Sequence, residues 1–456
     1  MFSKFVRHTV LGAAVLCAAS GAAMAQSLTD ALVDTYKNSE LIEQSRALLR
    51  SADEDVAIAV SRLRPILNYS ADYGYSDNFG RETDNGSLGI TASLLLFDFG
   101  RTRLGIEANK ELVLATREAL RATEQDVLLE GVSAFLNVRG ANDNVDLRRN
   151  NVRVITEQLR AARDRFEVGE VTRTDVAQAE ARLAEANANL TRALGQQAAA
   201  REVYRAVVGQ FPQSLAPPPP SPAIPATVEE ATSIAERTHP SILQGRHNVR
   251  ASEIVAEVAQ KAILPTASAT ANISRSIRDS LDDTTDSSIG LTLSGPIYQG
   301  GGLSAQYRQA LAGVENARAT LNQSVLVIRQ RVGIAWAEIL VTRANIDSTR
   351  RQVEAAEIAF EGVTEEARLG ARTTLDVLDA EQDVLDARTA LLSAEISAVQ
   401  AVYDLLSAMG LMTVDYLGLP VPTYDPAAYF NAVSNAPATS TQGARLDRVL
   451  QSIMRD

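Results

Sequence analysis

Apolar residues recur every three, four or seven positions through two long stretches of the chain. The first stripe runs Leu128, Val132, Phe135, Val138, Val145, Val152, Ile155, Leu159, Ala162, Phe166. The second runs Ile328, Val332, Trp336, Ile339, Ile346, Val353, Ala356, Phe360, Val363, Ala367. This is the heptad pattern of helices packed side by side. No proline interrupts the chain between Pro65 and Pro212, or between Pro296 and Pro420. A helix over about Arg101–Glu167 would extend roughly 100 Å at 1.5 Å per residue, longer than a compact core requires. The returning segment carries Ala177, Ala179, Ala181, Ala184, Ala186 and Ala188, small enough for neighbouring helices to approach closely.

Directly after Pro65 and Pro265 the period drops to two. Leu67, Tyr69, Ala71, Tyr73 and Tyr75 alternate with Asn68, Ser70, Asp72, Gly74 and Ser76, and Ala267, Ala269, Ala271 and Ile273 alternate with Ser268, Thr270, Asn272 and Ser274. Leu88–Leu96 and Ile289–Leu293 are their partners, and the polar stretches "DNFGRETDNG" and "RDSLDDTTDSS" separate the strands as tips. Strands of about 10 residues cross a bilayer when tilted. One apolar side, one small polar side and Tyr73, Tyr75, Phe97 and Tyr298 near the ends suit a membrane barrel wall. A soluble amphipathic sheet would carry the same alternation. Four strands cannot close a membrane barrel, since the smallest have about eight, so a barrel needs several chains.

The two halves present these parts in the same order. Aligning Pro65 with Pro265 brings "LLFDFG" onto "SGPIYQG" and Gly169 onto Gly370, with one residue inserted after Gly300. The period is too long for a solenoid of short repeats. The expected division is a leader over 1–25, a first repeat over 26–211, a Pro-rich linker over 212–226, a second repeat over 227–411, and a tail over 412–456. Each repeat holds an N-terminal helix, a β-hairpin (66–98 and 266–298) and a helical hairpin (101–209, tip near 169–175; 303–411, tip near 370–376). The tail, with "SNAPATSTQG", reads as polar and partly disordered.

Lys4 and Arg7, the apolar run Val10–Ala19 and the small residues ending at Ala25 have the order of a secretory signal peptide. Cleavage there removes Cys17, the only cysteine, and with it disulfide and thiol chemistry. It takes the net charge from −12 to −14 by removing Lys4 and Arg7, a balance that excludes a general nucleic-acid binder. No mature segment is apolar enough for a transmembrane helix. His239 and His247 lie eight apart in an acid-poor stretch, unlike a helical metal pair, and read as solvated surface. "PIYQGG" has too few fixed glycines for a nucleotide loop. No catalytic residue, metal site or cofactor is expected.

The phrases "LRP" and "ILP" before the strands, "PIYQGG" at Pro296–Gly301, "RFEVGEVTRTDV" at Arg165–Val176 and "LGARTTLDVLDAEQDV" at Leu369–Val384, in this order and in duplicate, resemble the TolC family of outer-membrane channel proteins. The resemblance covers the mature chain to about Gly418. It implies a mainly α protein with a membrane β-barrel. Three copies would share one twelve-stranded barrel in outer-membrane lipid and one α-helical tunnel through the periplasm of a Gram-negative cell. It also implies docking to a periplasmic membrane-fusion adaptor and an inner-membrane RND, ABC or MFS transporter, for multidrug efflux or type I protein secretion. The competing class is a pore-free periplasmic coiled-coil or adaptor-like protein, which would have one helical hairpin, not two.

Thr373-Thr374-Leu375-Asp376 fits a capping box, and Thr172-Arg173-Thr174-Asp175 repeats it. The shared aspartate therefore has a structural reason. Asp379 stands where the first repeat has Gln178, so the fold does not demand an acid there. The resemblance implies that Asp376 and Asp379 line the closed periplasmic entrance, where crowded carboxylates would favour cations and raise some of their pKa values. It implies that Thr174, Asp175 and Arg372 hold the entrance shut, although the family's tyrosine is Ala367 here. It also implies that Gly169 and Gly370 mark the hairpin tips that dock the adaptor.

Overall fold

A computed structural model of the chain describes residues 25–78, 81–278, 281–422, 424–435 and 448. The leader apart from Ala25, and the far end of the tail, lie outside the described residues. The elements run α1 (Leu28–Asn38), α2 (Glu40–Ser61), β1 (Ile66–Asn78), β2 (Arg81–Phe97), α3 (Arg101–Glu167), α4 (Arg173–Val208), then α5 (Val228–Thr238), α6 (Pro240–Gln260), β3 (Thr266–Arg278), β4 (Leu281–Ser294), α7 (Gly302–Arg368), α8 (Thr374–Ala408), α9 (Val414–Leu417) and α10 (Pro426–Val433). The second series repeats the first up to α8. Each repeat opens with two helices rather than one. Ser39 breaks the first pair and caps α2; His239 followed by Pro240 breaks the second. The linker is anchored, since Leu215 and Gln26 form a parallel bridge.

β1, β2, β3 and β4 form one antiparallel sheet in that order. The register sets Tyr69 beside Ile90 and Ile90 beside Ile273, and Ala92 beside Ala271, which faces Ile289. These residues share one face, because side chains alternate along a strand. The opposite face is polar, with Thr91 Oγ1 donating to Asn272 Oδ1 at 3.1 Å. The strands are longer than their alternation suggests. β2 begins at Arg81 and β4 at Leu281, so most of both polar stretches is paired strand rather than loop. Ladder hydrogen bonds join backbones whatever the side chains. At the other end β4 stops at Ser294, short of the hairpin limit expected at 298.

Both 67-residue helices, α3 and α7, start from two consecutive left-handed residues. These are Phe99 (φ 59°) and Gly100 (φ 79°) in the first repeat, Gly300 (φ 58°) and Gly301 (φ 84°) in the second. Asp98 replaces a side-chain cap at the first start, accepting from the Thr102 amide at 2.7 Å.

The main core lies midway along the long helices. Leu128, Val132 and Phe135 of α3 belong to one cluster with Leu28 and Leu32 of α1, Ala231 and Ala235 of α5, Val332 and Ile339 of α7, and Leu405 and Leu406 of α8. Burying each large side chain contributes about 1.5–3 kcal/mol. Trp336 packs on this cluster, only partly buried, whereas Phe135 is fully buried. Lower down, Ala179, Ala186 and Ala193 of α4 are buried at heptad spacing. The second stripe is buried less completely than the first, because one side of α7 has no neighbour within the chain. Among the described residues no helix is long and apolar enough to cross a membrane.

One expectation is corrected and another gains detail. The part of the tail nearest the second repeat is packed. Tyr424 and Phe430 lie on the α2–α3 cluster of Leu49, Val56, Ile106 and Val113, with Arg46 over the Tyr424 ring and Arg117 over the Phe430 ring. The aromatic residues there bury enough apolar surface to order the strap; "APATSTQG" lies outside the described residues. The correction concerns the histidines, which are not solvated surface. His239 is buried, and its Nδ1 accepts from the Ser241 amide at 3.2 Å. Burial, with Arg331 nearby, pushes its pKa down to about 4. His247 is half-buried, with Nδ1 2.8 Å from Glu111 Oε2.

Candidate functional site: the tips of the helical hairpins

Each long helix ends in the same way. Gly169 (φ 81°) donates to the Phe166 carbonyl at 3.0 Å and Glu170 to that of Arg165 at 2.9 Å. Gly370 (φ 78°) donates to Ala367 at 3.2 Å and Ala371 to Glu366 at 2.9 Å. These are paired Schellman bonds, which need a left-handed residue at the turn. A Cβ on either glycine would meet nothing within 4 Å, so backbone conformation, not crowding, selects glycine.

The returning helices start from complete capping boxes. Thr373 Oγ1 accepts from the Asp376 amide at 3.2 Å, while Asp376 Oδ2 accepts from the Thr373 amide and hydroxyl at 2.9 Å each. Asp175 makes the same bonds with Thr172, at 2.8 and 2.7 Å. Hydrogen bonds from the Thr373 amide and hydroxyl hold the Asp376 carboxyl below the usual range. Within one chain the cap therefore acts opposite to the expected like-charge crowding.

The two tips border one cleft of about 480 Å³, shared by Arg165, Thr172, Asp175, Ala367, Arg372 and Thr373 among others. Inside it the expected partners do not pair within the chain. Arg372 Nε donates to Glu366 Oε2 at 2.8 Å, Asp175 is engaged by Thr172, and Thr174 is exposed. The cross-tie that does exist runs from Arg165 Nη1 to the Ala367 carbonyl at 3.3 Å. It reaches the position that lacks the tyrosine, and a backbone acceptor leaves no mark in a sequence.

Asp379 is exposed but not free. Its Oδ1 accepts from Arg182 Nη2 at 2.6 Å, joining α8 to α4 across the repeats. Arg182 also reaches Glu185 Oε2 at 3.2 Å. Sequence reasoning missed Arg182 because nothing local pairs it with a residue in the other repeat. It also missed a legible signal. Asp376, Asp379, Asp383 and Asp386 recur at spacings of three and four, which places them on one face of α8. Val377, Leu378, Glu381, Val384 and Leu385 are buried on the other face. Burial pushes the Glu381 carboxyl up, against a long bond from Asn151 Nδ2 at 3.5 Å. Among the described residues no His, Cys, Asp and Glu group is arranged to hold a metal ion.

This arrangement is electrostatic and mechanical, a negative stripe beside two rigid turns. Comparison with known proteins identifies the family. The family model described as "Outer membrane efflux protein" matches residues 31–210 and again 232–411. The chain is 39% identical to the outer membrane efflux protein BepC of Brucella suis over 91% of this chain and 92% of that one. It is 27% identical to the outer membrane protein TolC of Escherichia coli, covering 92% and 90%. Its fold matches the crystal structure of CusC with a TM-score of 0.76 at 19% identity, over 85% of this chain and 92% of that one.

Proposed function

This chain belongs to the outer membrane efflux protein family, and on that premise we propose how its parts make a gated export tunnel. It is an outer-membrane efflux channel with a periplasmic tunnel, and it acts by passage rather than by catalysis. Three copies close around one axis. The observation that carries this reading is the open sheet, whose outer strands β1 and β4 each present an unpaired edge. An open edge is untenable in lipid, where every backbone polar group needs a partner. Joining β4 of one copy to β1 of the next removes all edges.

The helices support the same closure. Leu326, Leu340, Val341 and Ile358 of α7 are exposed, as are Leu41, Leu48 and Ile58 of α2. They offer two apolar flanks for a heterologous ring contact that closes on itself. Repeats 26–211 and 227–411 then contribute alternate staves of one tunnel. Asp376 and Asp379 form the constriction at its periplasmic entrance. Arg372 finds Thr174 and Asp175 only across the boundary between copies, because within a copy it is held by Glu366. Gly169 and Gly370 shape the turns that meet a periplasmic membrane-fusion adaptor, which links the tunnel to an inner-membrane transporter.

The test is the mass of the particle in mild detergent. A trimer is expected, and a monodisperse monomer with an intact β signal would overturn the reading. Deleting the gene and assaying both drug sensitivity and protein secretion assigns the cargo.

A further inference from the structure

We infer that Arg182 is a charge-masking clasp on the entrance, silencing the Asp379 carboxylate while the hairpins are together and exposing it when they part. The inference rests on the reading of Asp376 and Asp379 as the entrance constriction. It starts from a break in the internal duplication. Asp379 corresponds to Gln178, and Arg182 corresponds to Asp383. Neither repeat carries the pair within itself, so the fold does not require it. The pair exists only because α4 and α8 lie side by side, with Arg182 Nη2 2.6 Å from Asp379 Oδ1.

The clasp has a defined electrostatic setting. Along the exposed face of α8 stand Asp376, Asp379, Asp383 and Asp386. Asp376 is engaged by Thr373, and Asp386 accepts from Gln382 Nε2 at 2.8 Å. Of the four, Asp379 makes a direct ion pair with a cation, whereas Asp376 feels Arg372 only as a longer-range attraction. Facing it on α4 are Arg182 and Glu185. Glu185 holds the guanidinium at 3.2 Å from the far side, so Arg182 has somewhere to remain when Asp379 withdraws. Separation of α8 from α4 would then leave Arg182 with Glu185 and add one bare carboxylate per chain to the entrance. A tunnel so built becomes more attractive to cations as it opens.

Both side chains are substantially exposed, at 36% and 53%. Such a pair acts through the local field more than through stability. A unit charge felt through water at about 8 Å changes an ion's local concentration by roughly twofold. The effect should fade near 1 M salt, where the screening length falls to about 3 Å.

The experiment measures reversal potentials of purified channels in planar bilayers under a low-salt KCl gradient, for a charge cycle. Arg182→Gln should raise the potassium-to-chloride permeability ratio by roughly twofold or more. Asp379→Asn should lower it, because Arg182 is left unmasked. The double variant should return close to the wild-type value, since it removes equal and opposite charges. The exchange Arg182→Asp with Asp379→Arg should also keep the wild-type ratio, and it controls for loss of the pair as such. If Asp379→Asn shifts selectivity and Arg182→Gln does not, the clasp is wrong and the entrance reading stands. If Asp376→Asn and Asp379→Asn both leave selectivity unchanged, the entrance reading falls and the clasp falls with it.

Discussion

At the residue scale, the two aspartates that look alike in sequence do different physical work. Asp376 closes a capping box with Thr373, and Asp379 makes no cap. Removing the cap through Thr373→Ala should cost about 1 kcal/mol, read as a lower melting temperature. Asp376→Ala should shift melting in the same direction, whereas Asp379→Ala should leave the start of α8 intact. The turn before it is equally specific. Gly370 has φ 78° with open space around it, so Gly370→Ala adds only backbone strain, about 1–2 kcal/mol. An unchanged melting curve for Gly370→Ala would show that the Schellman turn is not maintained.

At the element scale, α2 carries a buried acid under the C-terminal strap. Asp53 sits between Leu49 and Val56 on the buried face, and neither of its carboxylate oxygens has a hydrogen-bond partner. Burial pushes its pKa up to about 6, while Arg117 pulls the other way. The unfolded value is about 3.9, so the folded state holds the proton more tightly. Its stabilising contribution is fully present below about pH 4 and is lost as pH rises through about 6. Asp53→Asn should therefore stabilise the fold at pH 7 by on the order of 3 kcal/mol, read as a higher melting temperature, and change little at pH 3.5. A gain of the same size at both pH values would mean that Asp53 is not titrating in the fold. The strap itself depends on Tyr424 and Phe430, which cover this helix from a part of the chain whose composition looks unstructured.

At the scale of the whole molecule, one chain is an incomplete object. Its sheet has two open edges and α7 has an apolar flank without a cover. Val341 is 60% exposed in the single chain and lies on the side of α7 away from Val332 and Ile339. If copies meet at this flank, as proposed, Val341→Asp should prevent trimer formation while leaving the helical content of the chain intact, because it adds a charge at an exposed position outside the chain's own core. Light scattering in detergent together with circular dichroism checks both halves of that expectation. A stable trimer of normal mass would move the contact elsewhere on α7.

The sequence by itself determined the β-hairpins and long helical hairpins and their order, but not the split opening helices or the helices of the tail. The prolines at 65 and 265, the switch from period two to heptad spacing, and the duplicated Gly-x-x-Thr-x-x-Asp phrase are local signals. Each acts through backbone sterics or side-chain alternation within a few residues. Strand length was less legible, since β2 and β4 begin in polar residues that only the ladder recruits. Tertiary structure alone decided which residues far apart in the chain meet. Arg182 reaches Asp379, Arg165 reaches the Ala367 carbonyl, Asn151 meets Glu381, and Tyr429 donates to Glu54 at 2.7 Å. Those contacts depend on how helices far apart in the chain rotate about their axes when their apolar stripes pack. A stripe fixes which face is buried, but it does not say which polar side chains at the border of that face will touch.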